Sequence, residues 1–302
     1  MLAGGTGGAK LAAGFQAMLE PGELTVIANT ADDDEFWGLL VSPDVDATIY
    51  RLAGVFDDAV GYGQKGDTFN TLEALGRIGE PTWFRIGDRD LANHMLRATM
   101  LDSGCRLTET ALELCRRFGL TTRVLPMTDD KVRTRFVTDR GTLSFQEYFV
   151  RERLTPALRA IEFAGAETAE PSPEVSAVLM DADLVVIGPS NPLISIAPIL
   201  DVIGPALRRE RTAAVTPIVG GAALKGPTVE MMRALGHEPS PAAVARRYSS
   251  LAGTFILDSR DAALAAGIEA SGYRVVVCDT VMAGGGEGLA NAILEAFRIS
   301  TG

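Results

Sequence analysis

Ala3-Gly4-Gly5-Thr6-Gly7-Gly8-Ala9-Lys10, running straight into Leu11, Phe15, Met18 and Leu19 at helical spacing, is the stretch on which the fold turns. Glycines admit positive φ and remove the Cβ that would hold a ligand off. A glycine loop before a helix therefore predicts a cradle in which amides and the helix dipole face an anion. The same glycines also serve a tight turn or close helix packing. Only Met1-Leu2-Ala3 feed the loop. Pro21-Gly22 then stops the helix, and residues 24–28 read as a buried strand, completing half of a βαβ unit.

Two specific forms of glycine loop fail on the residues. The P-loop pattern needs glycine before its lysine and a hydroxyl after it, whereas Ala9 and Leu11 flank Lys10. A dinucleotide fingerprint needs a spaced third glycine and an acid ending the second strand. Here that strand ends at Asn29, which disfavours nicotinamide and flavin dinucleotides.

The strand and helix alternation returns in the second half of the chain. Residues 184–187 lead into Gly188-Pro189-Ser190-Asn191-Pro192, and 213–219 into Gly220-Gly221. Residues 254–257 precede a helical pattern at 262–270, and 274–278 precede a final helix at 288–297. Short apolar strands alternating with helices predict an α/β fold with a mostly parallel sheet covered on both faces. The middle departs from this rhythm, with helices at 88–101 and 107–118. A strand at 83–86 precedes them, and a β-hairpin at 132–138 and 142–149 follows around Asp139-Arg140-Gly141. The expected organisation is a single domain, 1–302. Its core is 1–87 and 175–302, and an inserted helical and hairpin region occupies about 88–174, closed by an exposed connector at 164–173.

Composition narrows the function. A chain of 302 residues with 47% hydrophobic content buries a large core, and a net charge of −11 without a basic run argues against nucleic acid or an anionic membrane. A small phosphorylated ligand remains compatible if amides and a divalent cation offset the repulsion. Cys105, Cys115 and Cys278 form no paired motif, which fits a reduced cytoplasm, and no apolar stretch reaches the roughly 20 residues of a membrane span. His94 and His237 cannot build a clustered zinc site, and no Gly-x-Ser-x-Gly elbow is present.

Acids gather where a ligand belongs in such a sheet, beyond the carboxyl ends of the strands. Asn29-Thr30-Ala31-Asp32-Asp33-Asp34-Glu35 follows the second strand and Ser42-Pro43-Asp44-Val45-Asp46 comes soon after. Each acid alone reads equally as a solvated charge, but beside a phosphate loop one or two of them suit Mg²⁺. Lys65-Gly66-Asp67-Thr68-Phe69-Asn70 offers a ligand acid or an ordinary helix cap. Arg85 and Arg89, in Arg85-Ile86-Gly87-Asp88-Arg89-Asp90, suit a phosphate, a planar ring or a surface ion-pair network. Ser190-Asn191 suits a nucleotide or plain turn chemistry, and His94 sits on the helix that follows Asp88.

Taken together, Gly4-Gly5-Thr6-Gly7-Gly8-Ala9-Lys10, Asn29-Thr30-Ala31-Asp32-Asp33, Ser42-Pro43-Asp44-Val45-Asp46-Ala47, Lys65-Gly66-Asp67-Thr68-Phe69, Gly87-Asp88-Arg89-Asp90-Leu91, Leu125-Pro126-Met127-Thr128-Asp129-Asp130 and Gly188-Pro189-Ser190-Asn191-Pro192 resemble the 2-phospho-L-lactate transferase family. The match runs in order to at least Ala223, and the C-terminal third follows more loosely. The resemblance implies a Rossmann-like three-layer fold and a cytoplasmic homodimer acting in coenzyme F420 biosynthesis. The activity it implies moves a phospholactyl or phosphoenolpyruvyl group from a guanosine diphosphate adduct to the ribitol hydroxyl of the deazaflavin Fo, releasing GMP; phosphoglycerate is a third candidate acid.

The resemblance also places contacts to Fo on Asp46 and Arg85, with Asp88, Arg89 and His94 grouped with them around the substrate. Ala47, where threonine is frequent in the family, is a departure. The diphosphate is expected on Gly4, Gly5, Thr6, Gly7, Gly8, Lys10 and Asn29, with Ser190 and Asn191 near the guanosine or the diphosphate. Mg²⁺ is expected on Asp32 and Asp46. Asp33 or Asp67 is expected to help deprotonate the hydroxyl, which makes Asp33, Asp46 and Asp67 the expected catalytic acids. The rival reading is a non-catalytic nucleotide-sugar-binding regulator similar to the gluconeogenesis-factor proteins. Their corresponding loop is richer in glycine and serine than Asp33-Asp34-Glu35-Phe36-Trp37.

Overall fold

The computed structural model describes residues 1–224 and 226–298. Its frame is a seven-stranded sheet of β1 (Leu2–Ala3), β2 (Thr25–Ala28), β3 (Arg123–Pro126), β4 (Val185–Ile187), β5 (Thr212–Val215), β6 (Thr254–Asp258) and β7 (Arg274–Cys278). They lie in the order β7-β6-β5-β4-β1-β2-β3, every pair parallel. Two residues suffice for β1 because it is central, with Leu2 pairing both Ile27 and Ile187. The chain leaves β1 toward β2 and β3 on one side and returns to β4 on the other. The crevice for a ligand therefore opens where β1 and β4 end.

Period-two alternation along the strands feeds two cores, which is why helices cover both faces. Leu2, Ile27, Leu125, Ile187 and Phe255 point into one, where Val175, Ile199, Met231, Val244 and Tyr248 from helices of the second half meet Phe136 and Tyr148. Ala3, Val26, Val124, Val186 and Ile256 point into the other, against Leu11, Phe15, Val45, Ile49, Leu114, Leu289 and Ile293. The expected three-layer α/β architecture is thus present.

The glycine run is not a loop leading into a helix; it is the first turns of α1 (Gly5–Met18), with Gly4 as N-cap. Close packing demands it. A Cβ on Gly7 would lie 2.5 Å from the Pro189 carbonyl oxygen, and one on Gly8 2.7 Å from both the Ala3 Cβ and the Ser190 Oγ. Three further helices position the site: α2 (Pro43–Leu52), α3 (Asn70–Arg77) and α4 (Asp88–Asp102). A short antiparallel hairpin, Asp34–Phe36 with Leu39–Val41, precedes α2.

Several sequence-level boundaries shift. Residues 83–86 form no strand. The expected strand at 213–219 divides before Pro217, and Ile218–Val219 turns into a hairpin with Ala222–Ala223. The helix expected at 262–270 divides into a 3₁₀ turn, Ser259–Leu264, and Ala265–Glu269. In the middle, Arg133–Thr138 and Gly141–Ser144 form the hairpin, but a π-helical turn at Glu147–Arg151 replaces its far end and a third strand, Leu158–Ala164, pairs with the first. A division at 88 and 174 does not follow the sheet. Arg123–Pro126 is the edge strand of the main sheet, and α5 (Leu107–Arg117) packs on it as part of the crossover.

Candidate active site

A pocket of about 450 Å³ opens at the start of α1, walled by Gly5 and Thr6 at one end, by Asp44, Asp46 and Tyr50 along α2, and by Trp83, Phe84, Arg85 and Arg153 opposite. The glycine run meets it less broadly than the sequence suggested. The Gly4 amide donates to Ser190 Oγ at 3.3 Å and the Gly5 amide to Asp44 Oδ1 at 2.6 Å, while Gly7, Gly8 and Lys10 are not among the walls. Lys10 instead contributes its charge toward Asp58.

Three buried carboxylates converge behind this end. Asn29 ends β2, holds the Ala31 amide with its Oδ1 and donates its Nδ2 to Asp44 Oδ2 at 3.0 Å, so the second strand and the first turn of α2 meet on Asp44. Asp32 accepts from Thr134 Oγ1 at 2.8 Å and Asp33 from Ser42 Oγ, while Asp33 Oδ1 is buried without a partner. None of the three stands in an ion pair among the described residues. Burial, then the nearby charges of Asp44 and Asp33, pushes the Asp32 carboxyl well above its ordinary value. Burial pushes Asp33 up to about 7 against the pull of the Arg133 guanidinium, and Asp44 up to about 6 against its bonds from Asn29 and Gly5. Three buried acids with no ion-pair partner either hold protons or hold a cation.

Asp46, two residues beyond Asp44 on α2, is built differently. Arg97 of α4, 1% exposed, grips it with both guanidinium nitrogens, Nη1 standing 3.1 Å from Asp46 Oδ2. The same Nη1 reaches the Leu40 carbonyl at 3.2 Å and His94 Nδ1 at 3.1 Å. An arginine only donates, so His94 accepts at Nδ1 and carries its proton on Nε2, which lies 3.3 Å from Asp90 Oδ1. Asp90 also accepts from the Tyr50 hydroxyl at 2.6 Å, and Asn93 donates to that hydroxyl at 2.8 Å. Asp46, Asp90 and His94 bring possible ligand atoms within 4.8 Å of one another. A guanidinium already neutralises Asp46, which weighs against a cation in this group and against Asp46 as a partner of Asp32 in a metal site.

The remaining nominated residues divide between pocket and scaffold. Asp67 accepts from the amides of Arg89 (2.7 Å) and Asp90 (3.1 Å) at the start of α4. Asp88 accepts from the amides of Asn70 and Thr71 (both 3.0 Å) at the start of α3. The Lys-Gly-Asp-Thr and Gly-Asp-Arg-Asp motifs thus cap each other's helices. The Thr68 hydroxyl bond and the Thr71 and Asn70 amides hold the Asp88 carboxyl well below its usual range. Arg89 donates to the Lys65 carbonyl at 2.7 Å and does not line the pocket; Arg85 does line it, its guanidinium 4.3 Å above the Phe69 ring. His94 is a pocket wall. Ser190 receives the Gly4 amide, and Asn191 makes a local turn by accepting from the Leu193 amide at 2.9 Å.

Sequence reasoning quoted Asp44 and Asp90 without nominating them, and passed over Tyr50, Arg97 and Arg153. Positions 90, 94 and 97 share one helix face by spacing, so a signal for Arg97 existed. Arg153 carried none, because its place depends on positive φ at two successive non-glycine residues, 49° there and 59° at Leu154.

A family model described as 2-phospho-L-lactate transferase CofD matches residues 1–287. Among curated relatives, a "2-phospho-L-lactate transferase" of Methanosarcina mazei is 35% identical over 98% of this chain and 99% of its own length. One of Methanopyrus kandleri is 40% identical over 93% and 91%. A "phosphoenolpyruvate transferase" of Streptomyces griseus is 38% identical over 91% and 89%. A crystal structure of a UPF0052-family protein from Bacillus halodurans shares the fold with a TM-score of 0.61 over 97% of each chain at 15% identity.

Proposed function

The chain belongs to the 2-phospho-L-lactate transferase CofD family and is a transferase, and from that premise we propose that it moves a phospholactyl or phosphoenolpyruvyl group from a guanosine diphosphate adduct to the ribitol hydroxyl of Fo, with Mg²⁺ as the cation. One observation carries this reading: a single pocket joins an acid end at the start of α1 to an aromatic end. At that second end Trp83, Phe84 and Tyr62 supply flat apolar surface for a planar ring. Phe84 is itself held by stacking on Phe36, centroids 3.9 Å apart.

The residues present suit Mg²⁺ at Asp32 and Asp44: two buried oxygen donors repel one another, lack a counter-cation and sit beside the unpartnered Asp33 Oδ1. Bound there, the ion would neutralise the diphosphate and the charge that gathers on the oxygen departing with GMP. The chain's own share is alignment. Gly5 and Thr6 set the diphosphate against the start of α1, and the aromatic walls with Arg85 set the deazaflavin ring. Asp46 holds the polyol so that one hydroxyl lies in line with the P–O bond that breaks. Asp67 is occupied as a helix cap, which leaves Asp33 as the nominated acid to accept the hydroxyl proton, although it is buried beside Asp32 and Asp44 rather than among the pocket walls.

Purified protein incubated with Fo, Mg²⁺ and each guanylylated three-carbon acid in turn, with products weighed by mass spectrometry, tests the reading. The expected result is Fo enlarged by one phospho-acyl group together with free GMP. No product from any donor, with binding of a UDP-sugar instead, would overturn it.

A further inference from the structure

Arg97 belongs to no motif of the sequence and does not itself line the pocket, yet it is among the largest fully buried side chains of the protein. Burying a guanidinium is costly, and a hydrophobic residue of similar volume would hold α2 to α4 as well or better. Its contacts suggest another purpose. Both terminal nitrogens engage Asp46, and Nη1 also meets His94 Nδ1 and the carbonyl of Leu40 on the hairpin before α2. Each of the two ligand-facing groups it touches is left with one freedom removed: the Asp46 carboxylate cannot rotate, and the His94 ring keeps its proton on the side of Asp90. Asp90 is in turn fixed by Tyr50 and Tyr50 by Asn93. Asp46, Tyr50, Asp90 and His94 all line the pocket. The wall therefore presents the carboxylate oxygens of Asp46 and Asp90, the Tyr50 hydroxyl and the His94 Nε2–H in preset positions, acceptors and donors of the kind that read the hydroxyls of a polyol chain.

We propose that Arg97 is a positioning residue for acceptor recognition, orienting Asp46 and His94 so that this wall binds the hydroxyl chain of the acceptor substrate while the donor is held elsewhere. The inference rests on the functional reading above and assigns the two substrates to opposite ends of the pocket. A purely structural ion pair would lower stability without separating the two substrates. A positioning role separates them.

The test compares wild type with Arg97→Lys, which keeps the charge and loses the two-pronged grip, and with Arg97→Met. Fo binding is followed by deazaflavin fluorescence, and KM is measured separately for Fo and for the guanylylated donor at saturating partner. Arg97→Lys is expected to raise the Fo dissociation constant and KM about tenfold with the donor KM within about twofold, since truncating a buried charged hydrogen bond weakens binding by at least that much. Arg97→Met is expected to go further in the same direction. Unchanged Fo binding in a folded Arg97→Lys protein, or equal loss for both substrates, overturns the assignment of Arg97 alone. Wild-type protein that binds no Fo overturns the functional reading and this inference together. If Arg97→Met does not fold, the Arg97→Lys comparison decides.

Discussion

The two ends of the acid row solve the same problem in opposite ways. Asp32, Asp33 and Asp44 are buried with hydroxyls and amides for company and no cation in contact, whereas Asp46, two residues after Asp44, is clasped by a buried arginine. One end is ion-paired within the chain; at the other, none of the acids is ion-paired, and Asp33 alone feels the more distant guanidiniums of Arg133 and Arg97. Groups that must act on a ligand are commonly left unbalanced, because the missing charge is the ligand's own. The contrast supports the proposal that the first three acids serve a cation and the fourth a hydroxyl.

Changes at the two ends should therefore have opposite effects on stability. Asp46→Asn leaves a guanidinium buried and unpaired, and should lower unfolding free energy by about 3–5 kcal/mol, the usual cost of breaking a buried pair, read from a urea melt. Equal stability of Asp46→Asn and wild type would erase the distinction. Asp44→Asn should do the reverse, raising the midpoint of the metal-free protein by relieving repulsion while cutting transfer about 10²–10³-fold, the scale of losing one charge-stabilising group. Turnover within about tenfold of wild type would move the reaction away from Asp44.

The metal-free protein should also reveal the imbalance through pH. Asp33 binds its proton more tightly folded than unfolded, with a value of about 7 against 3.8, and Asp32 and Asp44 shift in the same direction. Over that window the native state holds the extra protons, so stability falls as pH rises from about 4 to about 7 and stays low above it. Thermal melts from pH 4 to 8 check this, and added Mg²⁺ should recover the loss above pH 7. A flat profile would mean the acids are compensated after all. The smallest effect concerns the scaffold: Asp67→Ala removes a cap from α4 and should cost about 1 kcal/mol with transfer nearly intact. A collapse of activity at full stability would return Asp67 to the chemistry.

Most of the sheet was legible because its strands carry short apolar runs closed by glycine or a polar turn, whereas the edge strand Arg123–Pro126 was missed and left in the inserted region. The glycine run correctly located the start of α1, yet its purpose was only half visible. Whether a glycine serves a ligand or a neighbouring backbone depends on Pro189 and Ser190, nearly two hundred residues away. Motif order similarly placed Asp32, Asp44 and Asp46 near one another but could not say which acid meets a cation. That depends on Arg97, 51 positions beyond Asp46. The capping bonds of Asp67 and Asp88 were hidden for a related reason, since reciprocal capping between two loops 20 residues apart looks in one dimension like two acidic ligand loops. Local periodicity survives without tertiary context; the partner of a buried charge does not.

The division of the acid row is tested most directly by calorimetric titration of Mg²⁺ into wild type, Asp44→Asn and Asp46→Asn with the guanylylated donor present. The account predicts that Asp44→Asn abolishes the metal-binding heat while Asp46→Asn retains it. Binding that survives in Asp44→Asn and disappears in Asp46→Asn would contradict it.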